Sequence, residues 1–186
     1  MITMPDRSTI RNDMAKKFLQ IGVIGPNSGL CNKALYEFGI KAGHRLSTPE
    51  RIFISGGMGG FMEAFFKGVK SSEQTFEGQT IGILPGDDTK DANTFTDIVI
   101  PTGMGIARNI LIINSSDVVI AAGGGAGTLS ELAFAWQKNK KVICLTAFEG
   151  WSKELAGKRL DKRHGTTFLE AKNIEDIENH LRNFKS

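Results

Sequence analysis

The sequence predicts a doubly wound α/β fold, a mostly parallel sheet with helices on both faces in a single domain. Short apolar runs alternate with longer amphipathic ones along the chain. Those apolar runs carry few polar interruptions, as strands buried on both faces require. Glycines gather where the runs end, and in such a sheet ligands bind outside the carboxyl ends of the strands.

The elements follow in order. "FLQIGVIG" (18–25) predicts the first strand and 30–42 a helix; "RIFISGG" (51–57) a second strand and 60–70 a helix. "TIGILPG" (80–86), a polar loop over 87–95 and "DIVIPTG" (97–103) continue the series, with a helix over 106–115. A strand at 117–121 then feeds a helix at 128–139, "KKVICL" (140–145) and "TTFLEA" (166–171) supply two more strands, and 173–184 closes as a helix with Ile174, Ile177 and Leu181 on one face. This is the Rossmann-like rhythm. The first 17 residues mix Asp, Arg and Lys with no apolar core, which predicts a flexible tail over 1–17 and one domain over 18–186.

Composition narrows the function classes. The chain has 186 residues, 40% hydrophobic and 23% charged, with a net charge of +3. That is an ordinary globular balance, too mild for a nucleic-acid surface. Two cysteines, Cys31 and Cys144, and three histidines offer neither a disulfide framework nor a zinc cluster. No apolar run reaches the roughly 20 residues of a membrane span. The expectation is a cytoplasmic protein with a small anionic ligand and neither nucleic acid nor membrane as partner.

The most informative stretch is "SSDVVIAAGGGAGTLSELAFAWQ" (115–137), where a buried strand runs into Gly123, Gly124, Gly125, Ala126 and Gly127 before Thr128 opens the helix. A glycine loop at a helix start offers unpaired N–H groups and the positive end of the helix dipole, a site for phosphate or carboxylate. It is not an ATPase P-loop, which needs Lys after the last glycine. A dinucleotide site is disfavoured too, because "GVIGPNSG" has the wrong spacing and the next strand ends in Ser55 and Gly56 without an acidic residue. Glu131 is expected in the first helical turn. A carboxylate there would repel a phosphate, so it is read as facing an uncharged part of the ligand, or as serving the dipole. Arg108, after "PTGMGIA", is expected at the start of the preceding helix, where a cation opposes the dipole and calls for an acidic partner: Glu131 or an anionic ligand.

These residues resemble a family. "GGGAGTLSE" (123–131) is similar to the Pro-Gly-Gly-x-Gly-Thr-x-x-Glu signature of the LOG family, nucleoside 5′-monophosphate phosphoribohydrolases once described as lysine decarboxylases. "ARN" (107–109) resembles its Arg-Lys motif, and "SGGMGGFMEA" (55–64) its Gly-Gly-Gly-x-x-Gly-Leu-Met-Gly stretch. "TIGILPG", "TGMGIARN" and "GGGAGTLSE" resemble still more closely a branch that includes molybdenum cofactor carrier proteins. The chain departs from the signatures at Gly123 (Pro), Ser130 (Glu), Asn109 (Lys) and Glu63 (Gly).

The resemblance implies one site and two uses of it. In a phosphoribohydrolase, Glu131 would act at the anomeric carbon and Arg108 would orient it or the ligand. Gly124, Gly125, Gly127 and Thr128 would hold the 5′-phosphate, and Asn27, Ser28, Gly57 and Gly60 would border ribose and base. In a carrier, the same loops would hold a phosphorylated pterin, the molybdenum cofactor as bound ligand, with Arg108 neutralising the anion. Neither use requires a cofactor for catalysis or a metal. Decarboxylation is not expected: Lys33, Lys41 and Lys67 fall within predicted helices, leaving no loop lysine to anchor pyridoxal phosphate. Leu132, Phe134, Ala135 and Trp136 give the 128–139 helix more apolar surface than one sheet face requires, which predicts a homodimer or higher homo-oligomer unless that surface is buried within the monomer. The cluster of cations in 151–167 reads as a solvated face or as a rim that steers anions.

Overall fold

The computed structural model of the chain describes residues 18–163 and 167–184, so the expected tail over 1–17 lies outside them. Seven strands form one sheet: β1 (Leu19–Ile24), β2 (Arg51–Ser55), β3 (Thr80–Leu84), β4 (Ile98–Pro101), β5 (Val118–Ala122), β6 (Lys141–Leu145) and β7 (Leu169–Ala171). Their order is β4-β3-β2-β1-β5-β6-β7, and every pairing is parallel.

Side-chain alternation along the strands divides the core into two layers. On β5, Val118, Ile120 and Ala122 pack beneath α1 (Lys33–Leu46), α2 (Phe61–Lys70) and α6 (Ile174–Arg182). Val119 and Ala121 pack beneath α3 (Asn109–Asn114), α4 (Ala126–Gln137) and α5 (Trp151–Leu155) on the other face. The sheet is therefore covered on both sides, as its uniformly apolar strands demand. Among the described residues no helix is long and apolar enough to cross a membrane.

Helix starts differ from the sequence reading where local capping decides. The first helix begins at Lys33 and not Leu30, because the Asn32 side chain accepts a bond from the Leu35 amide at 2.9 Å. Leu30 and Cys31 instead turn back, their amides donating to the Asn27 carbonyl at 3.1 and 3.0 Å. The 106–115 segment splits into a 3-10 turn (Gly105–Arg108) and the short α3. The sequence reading missed α5 altogether.

Helices α1 and α2 cross with backbones nearly touching. A Cβ on Gly43 would collide with the Phe65 carbonyl and lie 2.9 Å from the Val69 nitrogen; one on Gly68 would collide with the Ile40 carbonyl. This crossing fixes the loop that starts α2.

Strand order fixes the rest. The chain lays β2, β3 and β4 successively on one side of β1, then returns to place β5 on the other. Connections leaving β1 and β5 therefore diverge, opening a crevice at their carboxyl ends.

Because backbone cannot yield at the crossing, Gly43→Ala is expected to lower stability by about 1–3 kcal/mol despite alanine's better helix propensity. Urea denaturation would register this as an earlier midpoint at unchanged slope, and a midpoint at or above wild type would contradict the close crossing.

Candidate functional site

The crevice between β1 and β5 is a cleft of about 160 Å³. Gly25, Pro26, Asn27 and Leu30 line it from the β1 loop; Met58 and Met62 from the β2 side; Arg108 and Asn109 from the turn into α3. Gly125, Ala126, Gly127, Thr128 and Glu131 complete it. A larger hollow of about 320 Å³ lies at the amino ends of β6 and β7, lined by Trp136, Lys141, Arg159 and Phe168 among others. Volume alone favours other hollows, this one and another of about 550 Å³ lined by Leu19, Arg51 and Phe184 among others. The crevice is the stronger candidate because it gathers a buried arginine, a buried carboxyl and a helix start at the reversal of strand order.

The β5 loop reaches α4 through a strained turn that glycine makes affordable. Gly123 and Gly124 have φ of 55° and 95°, and the Thr128 side chain packs against Gly124 where a Cβ would have to stand. Their carbonyls accept the amides of Ser152 and Trp151 at 3.0 and 3.1 Å, so the missed helix α5 braces the loop from behind. Gly125 occupies the N-cap of α4 and offers no side chain to cap it. The first-turn amides of α4 thus have no side-chain cap at the cleft. A Cβ added to Gly127 would meet nothing within 4 Å.

Arg108 is buried, only 7% exposed, and its guanidinium lies against Gly56, where a Cβ would sit 2.5 Å from Nη2. Nη1 donates to Asn109 Oδ1 at 2.6 Å, Nη2 reaches the Met58 sulfur at 4.0 Å, and Nε has no partner. Asn109, also buried, donates through Nδ2 to Ser130 Oγ at 2.8 Å, and Ser130 donates to the Gly127 carbonyl at 2.6 Å. One chain of bonds therefore ties the arginine to the start of α4.

Glu131 stands past the first turn of α4, because the helix opens at Ala126 and not at Thr128. It does not cap the helix. Its carboxyl is 5% exposed, with Oε1 3.5 Å from Arg108 Nη1. Burial pushes it up to about 8, against the opposing pull of Arg108. Burial also draws Arg108 down, opposed by Glu131, but a guanidinium keeps its proton in a protein. At neutral pH the pair is therefore closer to a cation beside a neutral acid than to a balanced salt bridge.

The structure gathers Arg108, Glu131, Asn27, Gly125, Gly127 and Thr128 in the cleft lining, with Gly124 immediately behind. Ser28, Gly57 and Gly60 lie outside that lining. Gly57 is buried, with φ 69°, and its carbonyl accepts from Asn93 Nδ2 at 2.9 Å. Gly60, with φ 78°, starts α2 where a Cβ would lie 2.5 Å from the Pro26 carbonyl oxygen. Gly60 thus seats the β2 loop against the β1 loop, whereas Gly57 packs against Gly82 of β3. Sequence reasoning passed over Met58 and Met62, whose thioethers carry neither charge nor a strong hydrogen-bonding group to mark them.

Fold and crevice together define a single Rossmann-like domain of the LOG-like kind. The chain belongs to the SLOG cluster4 family (LDcluster4), whose profile matches residues 18–178. An uncharacterised protein of Archaeoglobus fulgidus is 44% identical over 130 residues, 69% of this chain and 81% of that one. Among solved structures, the molybdenum cofactor binding protein of Rippkaea orientalis is similar at 33% identity and a TM-score of 0.77, covering 90% of this chain and 98% of its own. The Moco carrier protein of Chlamydomonas reinhardtii is similar at 28% identity and a TM-score of 0.73, covering 89% and 96%.

The raised Glu131 gives a signed pH effect. Between its ordinary value near 4.5 and about 8, the folded protein holds a proton that the unfolded chain has released, so stability falls as pH rises through that window, by at most about 1.4 kcal/mol per pH unit. Glu131→Gln is expected to flatten this slope, as measured by urea unfolding from pH 5 to pH 9. A variant slope equal to that of wild type would place the titration elsewhere.

Proposed function

We propose that the protein binds a phosphorylated, nucleotide-like small molecule in this crevice, and that its ligand is a phosphorylated pterin of the molybdenum cofactor type, carried as cargo. The observation that carries the reading is the Arg108 guanidinium, buried with Nε unpartnered beside a helix start without a side-chain cap. A buried cation with open donors is costly until an anion supplies the missing bonds. Phosphate would take the α4 amides from Gly125 to Thr128 and the open edge of Arg108, while Met58, Met62 and Leu30 would cover the ring system. The two cofactor-binding neighbours support pterin over other phosphorylated rings.

A second reading, hydrolysis of the N-glycosidic bond of a nucleoside 5′-monophosphate, draws on Glu131. A carboxyl raised to about 8 is a competent proton donor at neutral pH. It is poorly suited to stabilise an oxocarbenium ion as a carboxylate below that pH, which favours the carrier reading.

Titrating the purified protein with isolated molybdenum cofactor, and with nucleoside monophosphates followed by chromatography for free base, tests both. Arg108→Ala is expected to weaken cofactor binding by about tenfold to a hundredfold, the worth of one charge-assisted bond. Gly127→Ala is expected to weaken it with no loss of stability, because the added methyl meets only the ligand. Undiminished binding by Arg108→Ala would overturn the carrier reading. Base release that vanishes in Glu131→Gln would replace it with the hydrolase.

We also infer self-association, but not through α4. Leu132, Ala135 and Trp136 are buried within the chain, Trp136 against Phe168 at 5.4 Å between ring centroids. The edge strand β4 instead exposes Ile98 and Ile100 at 44% and 42%, an open edge that a second copy would cover. Light scattering on the eluted protein is expected to give a multiple of 20.2 kDa, and a monomer would remove the inference.

A further inference from the structure

Just outside the cleft lining, next to Asn27, Met58 and Met62 in sequence, stands a polar corner. Glu63, in the first turn of α2, follows Met62, and Ser28 follows Asn27, so each lies one residue beyond a lining side chain. A Cβ built on Gly59 would lie 3.5 Å from Glu63 Oε2 and collide with Ser28 Oγ, so carboxylate and hydroxyl flank the same backbone atom. Tyr36, the chain's one tyrosine, approaches from α1: burial and then the Glu63 carboxylate raise its phenol, and the same two causes raise the Cys31 thiol. Serine, carboxylate and phenol thus gather beside the β1 and β2 loops, outside the lining but on the side of Met58 and Met62, whereas Arg108 and the α4 start lie across the cleft. Glu63 stands where the LOG motif that residues 55–64 resemble has glycine.

The local explanation for Glu63 is the dipole of α2, which favours an acidic residue in its first turn. That accounts for its sign but not for the hydroxyls assembled around it.

We propose that Glu63 is a specificity-determining residue whose carboxylate accepts paired hydrogen bonds from the amino group and adjacent ring N–H of the ligand heterocycle, with Met58 and Met62 against the ring face. The inference rests on the reading of the crevice as a site for a phosphorylated heterocycle. Two carboxylate oxygens match two neighbouring donors, an edge that 2-amino-4-oxopteridines share with guanine. Thioethers suit flat polarizable rings. The charge of Glu63 also sets direction, because a phosphate at that end would be repelled while Arg108 and the α4 amides attract it at the other.

Calorimetric titration of the full chain with GMP, IMP, AMP and a pterin monophosphate tests this. GMP and IMP differ only in the 2-amino group. GMP and the pterin monophosphate are expected to bind about tenfold to a hundredfold tighter than IMP or AMP, the tighter of the two naming the source of the shared edge. Glu63→Ala and Glu63→Gln are expected to erase the preference for GMP over IMP, lowering GMP affinity more than that of IMP, which keeps only the ring N–H, while leaving AMP affinity undiminished, and Glu63→Gln to keep the wild-type melting curve, separating a lost contact from a lost helix start. Equal binding of GMP and IMP by wild type, or a preference that survives Glu63→Ala, would overturn the role of Glu63 while leaving the phosphate site standing. Failure of all four ligands to bind would instead overturn the reading of the crevice, and this inference with it.

Discussion

A guanidinium taken out of water must be repaid in hydrogen bonds, and the organisation of this fold around Arg108 follows from that requirement. Asn109 supplies one bond, the Met58 sulfur a weak contact, and Glu131 stands slightly too far for a strong one. Gly56 yields the space in which the group lies. The arginine is held in place without being saturated. A salt bridge meant only for stability would close the Glu131 distance and pair Nε. The sheet holds the site open instead, because β1 and β5 send their connections in opposite directions and nothing of the described chain crosses between them.

The two core layers make that opening rigid. Beneath α1 and α2, Phe53, Phe61, Phe65 and Phe66 are fully buried, and the glycine crossing of the helices leaves no slack. Consequently the loop from Gly56 to Gly60 is fixed from below, and Asn93 holds Gly57 and Met58 from the side through their carbonyls. On the opposite layer, Ser152 bonds the carbonyls of Ala121 and Leu145 at 2.7 and 2.9 Å, fastening α5 across β5 and β6. That helix in turn takes up the Gly123 and Gly124 carbonyls. Each wall of the crevice is thereby anchored to a different layer, and side chains rather than backbone are left to adapt to a ligand.

The parallel sheet covered on both faces was legible because apolar strands separated by amphipathic helices admit few arrangements, whereas the strand order came only from the structure. Where the sequence reading slipped, a single short-range bond outweighed the periodic pattern. Leu30 has helical spacing, yet the Asn32 cap excludes it from α1 and leaves it 68% exposed over the cleft. Glu131 was placed a turn too early because Thr128 is the better N-cap by composition, whereas the chain uses Gly125 and buries Thr128. The α5 helix was hidden because its sequence, "WSKEL", is short and charged, and its hold on the fold is Ser152, a residue with no pattern to read. The pairing of Arg108 with Glu131 was legible for the opposite reason: a cation opposes the dipole at a helix start and calls for an acidic partner, and Glu131 stands 3.5 Å from it.

The departures from the family motif sharpen this. Asn109 and Ser130, which stand in place of a lysine and a glutamate, are bonded to each other at 2.8 Å. A cation and an anion have been exchanged together for two neutral partners, so the local charge balance is conserved while the link from Arg108 to the α4 start persists. Glu63 has no such compensation among the contacts around it, where Ser28, Tyr36 and Cys31 offer hydroxyls and a thiol but no cation.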